Sequence, residues 1–198
     1  MLQFRDSKFE TAITKLKNTI MATTKWAVDT THSEVIFKVK HLMVTNVSGN
    51  FNLFTVDAET EGEDFTKATV NFSADIASID TNNEQRDEHL KGADFFDAAS
   101  FPKITFKPTK YENIDNDGSY EMTGELTIKG ITKQVKLSVE FGGVVKDPWG
   151  NTKAGFTING NINRKDFGLN WNTVLETGGV MVSEEVRINS EIQLIKQP

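Results

Sequence analysis

The 198-residue sequence contains no cysteine, only three histidines, and fewer basic than acidic residues. The absence of cysteine excludes disulfide bonds, thiolate metal sites and cysteine nucleophiles. His32, His41 and His89 share no metal-ligand spacing, so we expect no histidine-rich metal site. Lysine and arginine number 22 against 28 aspartate and glutamate residues, a net charge of -6. Because nucleic-acid binding depends on neutralising phosphates with positive charge, we expect no nucleic-acid partner.

Long apolar runs are also missing from the chain. No segment approaches the roughly 18 consecutive apolar residues that a membrane-spanning helix needs. Residues 1–20 carry charges throughout and lack the continuous apolar segment of a signal peptide. We therefore expect a protein that stays in the cytoplasm.

The first residues have a pattern of their own. Apolar side chains recur there at a spacing of about 3.6 residues, which predicts an amphipathic helix. We assign residues 1–21 to an N-terminal helical leader and residues 22–198 to a separate domain. A basic amphipathic helix can lie on an anionic membrane surface, so transient membrane contact is one interpretation of the leader. A docking or poorly ordered leader, upstream of a second start at Met21, is the other.

From Trp26 onward the apolar period changes from 3.6 to 2. Apolar and polar side chains alternate in the segments 34–41, 67–76, 103–107, 119–128, 135–141, 156–162 and 186–194. Each segment has one apolar and one polar face, which is typical of antiparallel strands packed on one side. With further strands near residues 26–30 and 47–56, the predicted fold class is all-β, an antiparallel closed β-barrel of about eight strands. Closure is favoured over a sandwich, the alternative, because it removes the sheet edges.

One segment interrupts the strand pattern. Residues 78–90 open with capping residues and continue with good helix formers, which predicts a short helical crossover capped by Thr81 or Asn82. The adjacent pair Phe95 and Phe96 follows. We expect these two rings to plug one end of the barrel, beside an entrance.

Catalytic signatures are weak. The sequence has no G-x-S-x-G turn and no glycine-rich phosphate loop before a helix. Asp87, Glu88 and His89 are too close together on one helix to orient one another. We therefore expect a protein that is not an enzyme, with no catalytic residues.

Aromatic side chains dominate the apolar faces of the strands. Phe37, Phe72, Phe106, Phe141 and Phe156 project to the same side. An eight-stranded barrel can be filled by such side chains or can hold one small ligand, and the periodicity fits both.

Arg164 falls on the inward side of its strand. A buried guanidinium needs a polar or charged partner. One interpretation is that Arg164 reaches water or pairs with Asp166 or Asp87. The other is a contact with the head group of a ligand near the mouth.

Four motifs in order resemble the YceI family of lipid-binding, lipocalin-like barrels. They lie in residues 26–51 (WAVD, HS and GNF), 78–104 (SIDTN, RDEHL, DFFD and FPKI), 124–133 (GELTIKGITK) and 164–169 (RKDFGL). The resemblance implies a barrel around an elongated apolar cavity. It also implies a carrier of polyisoprenoids, such as isoprenoid quinones, or of related long-chain amphiphiles, with no cofactor other than such a lipid. A homodimer is implied by the resemblance alone, and the charged leader departs from the export signal of many members.

The leading hypothesis is non-catalytic binding, sequestration or transport of an isoprenoid-type lipid inside the barrel. The residues predicted to line the site are Phe37, Val39, Phe72, Phe106, Phe141, Phe156 and Ile158. Those predicted for its polar end or mouth are His41, Arg86, His89, Arg164 and Trp171, with Phe95 and Phe96 at the entrance. The alternative is a stress-related scaffold or interaction domain with a filled barrel and no ligand.

Overall fold

The computed structural model describes residues 23–173 and 180–198, and the leader predicted for residues 1–21 lies outside them. The described strands are β1 (Thr23–Val28), β2 (Glu34–His41), β3 (Thr45–Phe51), β4 (Phe54–Glu61), β5 (Asp64–Asp75), β6 (Ile79–Asp80), β7 (Lys103–Glu112), β8 (Tyr120–Ile128), β9 (Ile131–Lys146), β10 (Thr152–Asn163) and β11 (Val182–Lys196). The helix α1 covers Glu84–Lys91, and two short 3-10 turns cover Ile76–Ser78 and Arg164–Phe167. In this part of the chain, no helix is long and apolar enough to cross a bilayer.

The sheet closes on itself because its first and last strands pair. Antiparallel neighbours follow in the order β1, β4, β5, β7, β8, β9, β10 and β11, and β11 pairs back with β1. These eight strands confirm the predicted closed antiparallel barrel. Closure leaves no edge of the ring unpaired, and it turns the apolar face of every strand towards one interior.

At three adjacent positions around the barrel, the wall is made of two strands placed end to end, with a break between them. β1 and β2 lie end to end along β11, because β1 pairs with residues 194–196 and β2 with residues 182–191. β3 continues into β4, and β5 continues through a 3-10 turn into β6, so the segment expected as one strand over 47–56 is divided. The breaks at residues 52–53 and 76–78 are joined by two hydrogen bonds, in which the N–H groups of Asn52 and Leu53 donate to Ser78.

A buried carboxylate closes the break between β1 and β2. Asp29 accepts hydrogen bonds from the backbone and hydroxyl of Thr31, from His32 Nδ1 at 2.9 Å and from Lys153 Nζ at 3.0 Å. Burial acts to raise the pKa of Asp29, but the bonds from Thr31, Lys153 and His32 outweigh it and hold the pKa well below its ordinary value. The network therefore ties this break to β10.

Aromatic rings fill the end of the barrel where β1 and β4 lie. Trp26 is fully buried, and its Nε1 donates to Thr60 Oγ1 at 2.9 Å. The Phe65 ring lies 4.9 Å from the rings of both Trp26 and Phe156, centroid to centroid. We call this set, with Phe141, the closed-end cluster. It leaves the opposite half of the barrel as the place where a ligand could enter.

The helical crossover forms as predicted, but its cap differs. The side chain of Asn83 caps α1 by accepting from the N–H of Arg86 at 2.9 Å. Thr81, one of the two expected caps, instead donates its hydroxyl to the buried carboxylate of Asp87 at 2.5 Å. Asn82, the other, lies in the left-handed region with φ 59°. The cap thus lies one residue after Asn82 and two after Thr81, the two predicted positions.

Candidate functional site: an apolar cavity in the mouth half of the barrel

A cavity of about 580 Å³ occupies the half of the barrel opposite the closed-end cluster. Its wall consists mainly of aliphatic and aromatic side chains from strands around the ring, and α1 borders it with Gln85, Arg86, His89 and Leu90. No aspartate or glutamate lies in this wall within the described residues. The arrangement suits an apolar chain and offers a cationic ligand no carboxylate among these residues.

Two glycines help to explain why this half of the barrel is open. A Cβ atom at Gly49 would overlap the ring of Phe37 on the neighbouring strand, and one at Gly124 would overlap the ring of Phe106. Each phenylalanine therefore lies over a glycine, along the wall rather than across the barrel. The cavity is what remains when bulky side chains fold onto the wall in this way.

The structure places five of the seven predicted lining residues around the cavity. These are Phe37, Val39, Phe72, Phe106 and Ile158. Sequence reasoning did not select several further residues of the wall. The period-2 pattern carried a signal for Val70 and Leu137, which share the inward side of their strands. The signal was weak for Phe51, because the residue two positions before it on the same face is Gly49.

Phe141 and Phe156, the other two predicted lining residues, lie outside the cavity. Their rings are 5.3 Å apart and pack with Phe65 in the closed-end cluster. The alternation of a strand shows which side chains point inward but not how far along the barrel axis they lie. Moreover, a register shift between Gly155 and Phe156 interrupts the pairing of β10 with β9.

Aromatic side chains and a histidine form one group at the mouth. The His89 ring lies edge-on to Phe95 and Trp171, with centroids 5.3 Å and 4.8 Å away. Phe95 and Trp171 are themselves 5.4 Å apart, and Phe96 packs edge-on against Phe51. The predicted entrance pair and two predicted mouth residues thus lie beside the cavity, as does His41 at the end of β2.

Arg164 meets neither of its two expected structural partners, Asp166 and Asp87. Its side chain is buried, with 2% exposed, and borders the cavity. The guanidinium donates to the carbonyl oxygens of Ser183 at 2.8 Å, Trp171 at 2.9 Å and Leu169, with a longer bond to Val182. Burial lowers the pKa of Arg164 from its ordinary value, and the nearby Glu184 carboxylate opposes that shift.

These bonds tie the segment after β10 to the start of β11, so Arg164 has a structural role whether or not a ligand is bound. Its charge nevertheless stands beside the cavity, balanced by carbonyl dipoles rather than by a directly bonded carboxylate.

Arg86 places a second guanidinium at the mouth. Its Nε donates to Thr81 Oγ1 at 2.7 Å, and its Nη2 donates to the Thr81 carbonyl at 2.6 Å. Its Nη1 makes no hydrogen bond within residues 23–173 and 180–198. The polar end of the cavity is therefore basic, with Arg86 and Arg164 beside His41 and His89.

Comparisons of sequence agree with the motifs. A family model described as the YceI-like domain matches residues 26–194. The UPF0312 protein SA2479 of Staphylococcus aureus (strain N315) is 41% identical over 172 residues, which are 86% of this chain and 96% of that protein.

Solved structures have the same fold. The YCEI protein of Campylobacter jejuni is 36% identical with a TM-score of 0.69, covering 81% of this chain and 91% of that chain. BcnA of Burkholderia cenocepacia has a TM-score of 0.72 at 24% identity, covering 84% and 98%. A polyisoprenoid binding domain from Saccharophagus degradans has a TM-score of 0.60 at 13% identity, covering 87% and 98%. These last two show the fold, while the matches over residues 26–194 show the family. The resemblance of the four motifs is thus confirmed, and the chain belongs to the YceI family.

Proposed function

We propose that the protein binds a long-chain apolar lipid, of the polyisoprenoid or isoprenoid-quinone type, and sequesters or carries it without chemical change. The observation that carries this proposal is the cavity of about 580 Å³, whose wall is largely apolar and, among the described residues, contains no carboxylate. The fold shared with a polyisoprenoid binding domain supports the choice of lipid class.

The energetics of such binding are sufficient. Each buried methylene contributes about 0.8 kcal/mol gross, so a five-carbon isoprene unit contributes roughly 3–4 kcal/mol before costs. Several units would exceed the affinity ceiling of non-covalent complexes, so ordering of the chain and of the mouth offsets much of the gain. Chain length therefore sets most of the affinity, and a strong polar anchor is not required.

The basic mouth selects the polar end of the ligand. Arg86 offers an N–H donor at Nη1, and Arg164, which also borders the cavity, supplies a second positive charge. A head group that accepts hydrogen bonds, such as a quinone carbonyl or a phosphate, fits this end, whereas a cationic head group is repelled.

The test is native mass spectrometry of the freshly purified full chain, followed by organic extraction of the bound material. We expect a stoichiometric prenyl or quinone species. A matched pair of variants controls the location. Val70→Trp places an indole in the cavity wall and should remove most of the lipid, whereas Val145→Trp, at an exposed position near the opposite end, should retain it. An empty protein that also refuses added quinones and polyprenols would overturn the proposal in favour of the scaffold.

The cytoplasmic location, the homodimer and the membrane contact of the leader stay predictions from the sequence.

A further inference from the structure

The turn between β2 and β3 carries three exposed apolar side chains in succession. Leu42 is 40% exposed, Met43 57% and Val44 78%. The Val44 N–H donates to the His41 carbonyl at 3.1 Å, which closes the turn. We call residues 42–44 the apolar tip.

The backbone of the apolar tip does not suit its residues. Leu42 and Met43 both have positive φ, at 51° and 58°, the conformation of a type I′ turn. This turn favours Asn-Gly, because a bulky side chain in the left-handed region is sterically strained. Leucine and methionine here add exposed apolar surface to a strained backbone. Neither the strained backbone nor the exposed apolar surface adds to the stability of the turn. Such an exception to the usual turn residues points to a function of the side chains.

The apolar tip lies beside the cavity mouth. His41 pairs with Val182 on β11, and the Leu42 N–H donates to the Met181 carbonyl at 2.8 Å. Met181, Val182 and His41 also border the cavity. Apolar surface therefore continues from the interior of the barrel, over its rim, to the exposed tip.

Charged side chains on the described strands beside the tip do not oppose contact with a membrane. Lys40 is exposed next to the turn. Of the acidic residues at the start of β11, Glu184 pairs with Lys165 at 2.5 Å and Glu185 lies 3.4 Å from Arg187. The apolar side chains thus meet no unpaired acidic neighbour on this strand.

We propose that the apolar tip inserts into the surface of a lipid bilayer and seats the cavity mouth against it. The cargo then passes between bilayer and cavity without exposing its chain to water. This inference rests on the proposed function, because the occupant is argued from the lipid that the cavity would exchange. A lipid surface fits better than a second protein, since three exposed apolar side chains at one turn suit insertion into a bilayer and the apolar surface is continuous with a cavity proposed to hold lipid.

The decisive variant is Leu42→Asn/Met43→Gly in the full chain. It installs the residue pair that the type I′ turn favours, so the thermal midpoint should be unchanged or higher. Flotation with vesicles of phosphatidylcholine and phosphatidylglycerol should nevertheless fall by about tenfold or more, because two inserted apolar side chains are lost. Trp149→Ser is the matched control. It removes an indole that is 83% exposed in the turn between β9 and β10, at the opposite end of the barrel, and should leave flotation unchanged.

A fluorescent label separates the tip from any contact made by the leader. Because the chain has no cysteine, Val44→Cys and Trp149→Cys each give a single site for an environment-sensitive dye. Adding vesicles should shift the emission of the Val44→Cys conjugate to shorter wavelength and leave that of the Trp149→Cys conjugate unchanged.

The proposal is overturned if the double variant floats like the wild type, if only the label at position 149 responds, or if the wild type does not float. Lipid content of the soluble protein, measured by native mass spectrometry, reports on the cavity independently. If the protein holds lipid but does not bind vesicles, only the proposed role of the apolar tip is refuted. If the protein binds vesicles through the tip but never holds lipid, the proposed function is refuted.

Discussion

Truncating Phe72 to alanine should weaken ligand binding more, and stability less, than truncating Phe156 does. Phe156 is 7% exposed and packs against Phe65 and Phe141, so Phe156→Ala should lower the free energy of unfolding by about 3–5 kcal/mol. Phe72 is half-buried and faces the cavity, where part of its ring has no packing partner. Phe72→Ala should therefore cost about half as much, about 2 kcal/mol.

For ligand affinity, the order of the two variants is reversed. A phenylalanine ring that covers the chain of a bound lipid contributes about 1.5–3 kcal/mol, so Phe72→Ala should weaken binding about tenfold to a hundredfold. Phe156→Ala should leave the affinity nearly unchanged because its ring lies outside the cavity.

Two assays on the same preparations separate the effects. Urea unfolding gives the free energy of each variant, and titration with a polyprenol or quinone gives its affinity. In this size range 1 kcal/mol corresponds to about 2–4 °C in Tm, so melting curves resolve the difference between the variants. The reasoning fails if Phe72→Ala destabilises the protein as much as Phe156→Ala does, since Phe72 would then belong to an ordinary filled core. It fails equally if Phe156→Ala abolishes binding at a temperature where the variant is folded.

Further predictions concern the buried polar groups and the glycines of the wall. Arg164→Met should lower the free energy of unfolding by about 3–5 kcal/mol, because it leaves the carbonyl oxygens of Leu169, Trp171 and Ser183 without their donor; a thermal melt within the error of the wild type would contradict this. Asp29→Asn should destabilise the protein at neutral pH, because the folded state holds the pKa of Asp29 below its unfolded value of about 3.9 and the ionised carboxylate therefore stabilises the fold above that pH. The difference between variant and wild type should shrink as pH falls below about 4, and urea unfolding at several pH values checks the sign. Gly49→Ala should push the Phe37 ring into the cavity and reduce lipid uptake, with Gly62→Ala, at a turn with nothing within 4 Å, as the control for strain alone.

Local patterns predicted the class of fold because each strand has to hide one face. The alternation in segments such as 119–128 depends only on neighbours along the chain and needs no knowledge of the partner strand. The interruptions at residues 29–33 and 52–53 were not predictable, since they are stabilised by bonds between distant residues, such as Lys153 with Asp29. Pairing between distant segments decides where a strand is interrupted. The alternation of apolar and polar residues carries no information about that pairing.

The same limit applies to the candidate site, where the direction of the side chains was predictable but their position along the barrel axis was not. The inward direction of Phe37, Phe72 and Phe106 followed from period 2, and all three line the cavity. Phe141 and Phe156 share that direction but lie at the closed end, because their height depends on strand length and register. The partners of Arg164 are backbone carbonyl oxygens. Because every residue has a carbonyl group, the sequence could not indicate these partners.

The interruptions in three adjacent walls divide the barrel into parts with different freedom to move. β9, β10 and β11 are each a single strand, of 16, 12 and 15 residues, and form the stiffer part of the barrel although the pairing of β9 with β10 shifts register once. β2, β3 and β6, with α1 attached, form a flap that meets the aligned breaks at one end and is held to β11 along one side by the pairing of β2. Sub-global opening of that pairing would let the flap move outward while the closed-end cluster stays folded. Its amide hydrogens should exchange with solvent well before those of β1 and β4, and the opening would admit a cargo wider than the resting mouth.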